Sequence, residues 1–333
     1  MRTNAKKIKD QAVTIVALTT LLSALVLASA NAAQWNATVG AQSNDKGDQA
    51  LAFLPNEIWI HAGDSITWKF DADDIHTVTF LRADQERPPF FVGCPGFSSD
   101  PATFDGSTCV TTPPLVNGQT FTVNFPVAGN FKLTCLVHPN MTGTIHVFGL
   151  SQRLPHGQAF YDKRAEDERK DLLLDPIDRN AGRDNEPNRN DAPGVAAGIG
   201  KAAATAGGSE SISVVRFLHD PVEIHAGQTV EWTNLDPATP HTITFGAEPM
   251  DLVDPSPDVT VDADGARHAV ISSTSDSTHS GFIRAAPQER TGLRQSPLGV
   301  TRFRVTFPNA GTFPYICALH DDLGMKGQVT VHP

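Results

Sequence analysis

Beyond residue 28 the chain has no apolar run long enough to cross a bilayer, so no membrane span is expected in the mature protein. No cysteine follows the early apolar run at 12–28 closely enough to carry a lipid. Basic residues are in short supply: 26 Lys and Arg face 37 Asp and Glu, a net charge of −11, and an acidic surface argues against nucleic acid as a partner. Few segments inside either half carry a helical period. What is present at the start is Arg2, Lys6, Lys7 and Lys9, then the apolar run, then the small residues Ala30-Asn31-Ala32. That is the pattern of a cleaved secretory signal over residues 1–32, so export to a periplasm or to the exterior is expected. The remainder, in a chain of 333 residues with 40% hydrophobic and 19% charged residues, suits two ordinary globular domains.

Four cysteines in an exported chain would ordinarily read as two disulfides. Here they divide into two kinds. Cys94 and Cys109 lie in a Gly/Pro/Ser-rich insert with no His between them, and a loop-closing disulfide is expected. The other two open short motifs, Cys135-Leu-Val-His138-Pro-Asn-Met141 and Cys317-Ala-Leu-His320-Asp-Asp-Leu-Gly-Met325. Each motif places a thiolate, an imidazole and a thioether on a tight loop that closes a strand-like run. A type 1 copper site needs two neutral imidazoles and a thiolate in a trigonal plane, with a long axial Met. The missing imidazole has a matching candidate in each half, His76 in His76-Thr-Val-Thr-Phe80 and His241 in His241-Thr-Ile-Thr-Phe245. A bridge between Cys135 and Cys317 would leave this spacing unexplained. His61 and His225, beside Ala-Gly turns, read as exposed turn residues. His268 and His279 could form an accessory metal site, although nothing in their spacing demands it.

The two halves repeat one another. Ile58-Trp-Ile-His-Ala-Gly-Asp-Ser-Ile-Thr-Trp68 aligns without a gap on Val222-Glu-Ile-His-Ala-Gly-Gln-Thr-Val-Glu-Trp232, and Phe125-Pro-Val-Ala-Gly to Cys135 aligns on Phe307-Pro-Asn-Ala-Gly to Cys317. Period-two alternation, as in Phe121, Val123, Phe125 and in Phe303, Val305, Phe307, predicts half-buried antiparallel strands between short turns. The expected fold class is all-β: two tandem Greek-key β-sandwich or barrel domains, at 33–150 and 211–333, joined by a partly helical, flexible linker at 151–210. Within the linker, residues 158–174 predict a short surface helix with a Glu166 to Lys170 pair, and the Ala/Gly-rich residues 195–208 predict flexible chain. A helix that docks the two domains together is the alternative. Long excursions at 81–117 and 247–296 are expected to pack over the sandwiches and shape what approaches the metal.

On these residues, both halves resemble the cupredoxins, the plastocyanin, azurin and amicyanin type of blue copper protein. The likeness covers most of 35–148 and 211–332. Cys-x2-His-x2-Met in the first half is similar to amicyanin, and Cys-x2-His-x4-Met in the second to plastocyanin and pseudoazurin. The resemblance implies copper at His76, Cys135, His138 and Met141 and at His241, Cys317, His320 and Met325. Thr77 and Thr242 stand where many members of the family have Asn, and their hydroxyls are the candidates to tie the two ligand loops together. The resemblance further implies a carrier of single electrons between redox partner proteins, docking through apolar surface around a solvent-facing second His, beside Pro139. The alternative is an extracytoplasmic copper storage or delivery protein. A copper oxidoreductase of the nitrite-reductase kind is disfavoured: Thr134 and Leu136 flank Cys135, Ile316 and Ala318 flank Cys317, and no His-x-His pair exists.

Overall fold

The computed structural model describes residues 32–175, 193–285 and 299–333. The expected signal segment, apart from its last residue, lies outside them, as do residues 176–192 of the expected linker and the end of the second excursion. The first half folds as β1 (Gln34–Gln42), β2 (Asp48–Leu54), β3 (Glu57–His61), β4 (Ser65–Phe70), β5 (Thr79–Phe80), β6 (Ala102–Thr103), β7 (Val110–Thr111), β8 (Thr120–Asn124), β9 (Gly129–Thr134) and β10 (Thr142–Phe148). Helix α1 (Gln158–Leu174) follows. The second half comprises β11 (Gly194–Ala204), β12 (Ser209–Leu218), β13 (Val222–His225), β14 (Thr229–Leu235), β15 (Thr244–Phe245), β16 (Thr260–Val261), β17 (Arg267–Val270), β18 (Thr278–His279), β19 (Arg302–Thr306), β20 (Gly311–Ile316) and β21 (Lys326–His332).

Each half is a two-layer sandwich, and the pairings repeat. One layer runs β2-β1-β4-β8, with β1 and β4 parallel; its counterpart runs β12-β11-β14-β19, with β11 and β14 parallel. The other layer runs β3-β10-β9-β5-β7, and its counterpart β13-β21-β20-β15-β18. The expected alternation is real: Ile66, Trp68 and Phe70 on β4 and Phe121 and Val123 on β8 point inward and are buried, while their neighbours are not. The second core gathers Trp232, Phe245, Phe303, Phe307 and Tyr315 in the same way. Each such side chain contributes roughly 1.5–3 kcal/mol by leaving water, which is why these runs settle as strands with one face inward.

The Ala/Gly-rich run expected to be flexible is instead mostly strand. Residues 194–204 form β11, which pairs antiparallel with β12 and parallel with β14 at the heart of the second sandwich. Small side chains suit this place because Val195, Ala196, Ala197 and Ile199 are buried. The expected helix does form, and Glu166 pairs with Lys170 at 3.2 Å. It lies on the first sandwich: Tyr161 is buried, its hydroxyl donates to the Trp59 carbonyl and accepts from the Trp59 N–H, and Leu172 packs on Ala41, Ala50, Ala52 and Leu54.

The two sandwiches are joined edge to edge. β2 and β12 pair antiparallel, Leu51 with Ser211 through Asp48 with Val214, so one hydrogen-bonded sheet continues from the first half into the second. Further contacts tighten the seam. Asn56 donates to the Thr205 hydroxyl, the Thr144 hydroxyl donates to the Gly207 carbonyl, and Arg216 donates to the carbonyls of Asp45 and Leu323. Leu323 belongs to the second Cys/His/Met loop, so a residue of the seam braces that loop. Among the described residues, no helix is long and apolar enough to cross a membrane.

Candidate metal centres

In each sandwich the first His sits just before a short strand and the other candidates lie on the loop between two long ones. His76 is pinned by reciprocal backbone hydrogen bonds with Leu115 (2.9 and 2.8 Å), and His241 by the same pair with Ile283 (3.0 and 2.9 Å). Cys135 and Cys317 directly follow β9 and β20, and each loop closes when the Cys N–H donates to the carbonyl of its Met, Met141 or Met325, at 3.0 Å. The potential ligand atoms of His76, Cys135 and His138 all lie within 4.8 Å of one another, as do those of His241, Cys317 and His320, and all six residues are buried. The Nδ1 atoms of His76 and His138 stand 3.1 Å apart, and Sγ of Cys135 is 3.8 Å from Nδ1 of His138. In the second site, Sγ of Cys317 is 3.8 Å from Nδ1 of His241 and 3.4 Å from Nδ1 of His320. Met141 and Met325 are fully buried in the two cores.

Ring nitrogens that face one another and a thiol inside a dry pocket need a proton or a cation between them. The donor chemistry, two imidazole nitrogens and one sulfur, fits a soft or borderline transition metal. Burial pushes each thiol up, but hydrogen bonds and charge from the imidazoles outweigh it, and Cys135 and Cys317 are drawn well below the ordinary thiol range. The thiolate that binds metal is therefore favoured before any metal arrives.

A family model for copper binding proteins of the plastocyanin/azurin family matches residues 40–148 and 203–332, well over half the chain. The chain belongs to the plastocyanin/azurin family. Among relatives, the chloroplastic plastocyanin of Tetradesmus obliquus is 33% identical over 110 residues, which cover 33% of this chain and 61% of that protein. Solved structures similar to part of the chain include a reduced amicyanin mutant (17% identity, TM-score 0.24, covering 34% of this chain and 82% of the other). Another is a purple cupredoxin from Nitrosopumilus maritimus (20% identity, TM-score 0.24, covering 34% and 99%).

Three of the four expected ligands thus converge in each cupredoxin domain, and the Thr that follows the first His ties the loops as anticipated. The N–H of Leu136 donates to the Thr77 hydroxyl at 2.7 Å and that of Ala318 to Thr242 at 2.8 Å, while the Thr77 and Thr242 N–H groups each point at the thiol sulfur at 3.4 Å. Thr77→Val should therefore leave the buried Leu136 N–H without a partner and cost about 1–3 kcal/mol. Denaturant unfolding of the metal-free protein checks it, with Thr242→Val as the equivalent at the other site.

Other expectations are corrected. The second His is not solvent-facing: His138 is 1% and His320 3% exposed. The two ligand loops line one cleft between the domains, and Asp74, 3.3 Å from Nε2 of His138, covers the ring edge that was expected to meet water. Among the described residues, His268 and His279 are not grouped with other metal-binding side chains. Nδ1 of His268 stands 3.2 Å from Asp262 and its Nε2 2.9 Å from the Thr306 hydroxyl, and His279 is buried against Thr244 at 2.8 Å. His225 is exposed as expected, but His61 is half-buried, with Nε2 2.7 Å from the Gln152 carbonyl. Cys94 and Cys109 are joined in a disulfide.

Sequence reasoning missed four supporting residues. Gly40 and Gly198 sit at register shifts in β1 and β11, both at positive φ, and face the back of His76 and His241. Asp74 faces His138, while in the second domain Asp236 faces His241 at 3.4 Å and also accepts the N–H groups of Ala238 and Thr239. The glycines could have been found by extending the repeat upstream, where Val39-Gly40-Ala41 lies over Ala197-Gly198-Ile199. The acids offered no such signal, because they are not at equivalent positions.

Proposed function

We propose that this protein is an exported carrier of single electrons with two type 1 copper centres, which His76, Cys135, His138 and Met141 and His241, Cys317, His320 and Met325 would hold. The observation that carries this reading is the buried convergence of two imidazoles and one thiol, repeated in two domains of a copper-binding family. Copper held by such a set would supply one-electron chemistry, since the sulfur suits Cu(I) and the nitrogens suit Cu(II). Strands on both sides hold the His and Cys residues in place, and the Thr77 and Thr242 bonds lock one ligand loop to the other, so little has to move when the charge changes. The partners are redox proteins that reach the cleft at the ligand loops.

Protein loaded with Cu(II) should be intensely blue, with narrow copper hyperfine splitting and close to two coppers per chain. Cys135→Ser and Cys317→Ser should each remove one blue centre and leave the other, as read by absorption and metal analysis. A colourless protein that holds two coppers would overturn the carrier reading in favour of storage, and nitrite turnover above background would overturn it in favour of an enzyme. Export is tested by the N-terminus of the mature protein, expected near Ala33.

A further inference from the structure

Edge-to-edge pairing of β2 with β12 brings the metal ends of the two sandwiches to one cleft, whose walls include His138 of the first centre, His320 of the second, and Asp74. Asp74 is 6% exposed. Its Oδ2 lies 3.3 Å from Nε2 of His138, and its Oδ1 accepts the Ile75 N–H at 2.7 Å. The carboxylate thus lies against His138 in the cleft that the ligand loops of both domains line.

The second domain has no counterpart at that position. Thr239 stands two residues before His241, as Asp74 does before His76. Its own carboxylate, Asp236, also lines the cleft but is engaged with His241, the Ser213 hydroxyl and two backbone N–H groups. Of the other carboxylates lining the cleft, the second domain's Asp322 is exposed, whereas Asp74 is buried.

We propose that Asp74 is a positioning and tuning residue shared by both metal centres: it orients His138 through Nε2, and its charge sets the balance between oxidised and reduced metal at the first centre and, across the domain seam, at the second. This rests on the copper reading above. A buried negative charge stabilises the more highly charged metal ion, so its removal favours Cu(I). The effect falls off with distance and is larger at the first centre.

The test places Asp74→Asn in two single-centre backgrounds, Cys317→Ser to report the first centre and Cys135→Ser to report the second, and measures reduction potential and the Cu(II) spectrum. The expected result is an upward shift of both potentials, greater at the first. The spectrum should change at the first centre, where His138 loses its partner, and persist at the second. Asp74→Glu keeps the charge while altering its reach, so it should leave the second potential near its parent value while disturbing the first spectrum. This variant decides the matter if the Asn variant folds poorly. Copper binding with a second potential unmoved by Asp74→Asn, or moved equally by Asp74→Glu, overturns the proposal alone. Failure of both backgrounds to bind copper overturns the copper reading and the proposal with it.

Discussion

Alanine at position 198 is expected to empty the second centre while the first stays loaded. Gly198 adopts φ of +78° at the register shift in β11, and a Cβ there would stand 2.1 Å from Nε2 of His241, with two further ring atoms inside 3.0 Å. The ring has nowhere to retreat, because His241 is fully buried and fixed by both backbone hydrogen bonds to Ile283. Left-handed backbone at a non-glycine residue costs about 1–3 kcal/mol by itself, and the clash must in addition push the imidazole out of the metal site. Metal analysis should show copper falling to about half, with the surviving blue band matching that of the Cys317→Ser protein. Gly40→Ala is the mirror experiment: its Cβ would stand 2.6 Å from Nε2 of His76, and it should spare the second centre. Full loading with an unchanged spectrum in Gly198→Ala would contradict the close approach.

Copper binding should release protons at neutral pH and tighten as pH rises. In the metal-free protein burial lowers the affinity of His138 for a proton, but Asp74 and the Cys135 sulfur overcome it and raise its pKa to about 10. At His241, burial is likewise outweighed, here by Asp236 and Cys317, and the pKa rises to about 9. Both exceed the ordinary imidazole value of 6.5, so each ring is protonated at neutral pH and must lose that proton to become a ligand. The thiols, drawn well below their usual range, add little to this release. Apparent affinity should therefore climb about tenfold per pH unit at each centre, levelling near pH 9 at the second and near pH 10 at the first. Calorimetry in buffers of different ionisation enthalpy counts the protons. The metal-free fold should respond in the opposite direction. Stabilisation from these charged imidazoles is complete below pH 6.5, the unfolded value, and is lost as pH passes through about 9 to 10. Thermal unfolding of metal-free protein across that window provides the check, and an alkaline rise in stability would contradict the assigned charges.

Much of this was legible before any coordinates. The Cys-x2-His-x2-Met and Cys-x2-His-x4-Met loops are local, and a loop of fixed length between two strands leaves few ways to place its side chains. The distant His76 and His241 were recoverable because the halves repeat and can be laid over one another. Misreadings arose where burial rather than pattern decides. Residues 195–208 look flexible because Ala and Gly carry little local preference, yet the first half of β11, 195–199, is buried on both faces and a glycine is what fits beneath His241. The solvent-facing second His failed for a related reason: exposure there depends on what lies across the cleft, which no motif within one domain encodes.

Alternation, loop length and internal repetition were enough to read two β-sandwiches, their strand faces and which His and Cys residues meet, because the first two act over a few residues and the third lets one half be laid on the other. Tertiary packing was needed to show that β2 and β12 fuse the domains into one sheet, that both ligand loops open on one cleft, and that Asp74 lies against His138 in that cleft. Those outcomes depend on pairing and burial between segments more than a hundred residues apart, where shape and unsatisfied backbone, not local pattern, select the partner.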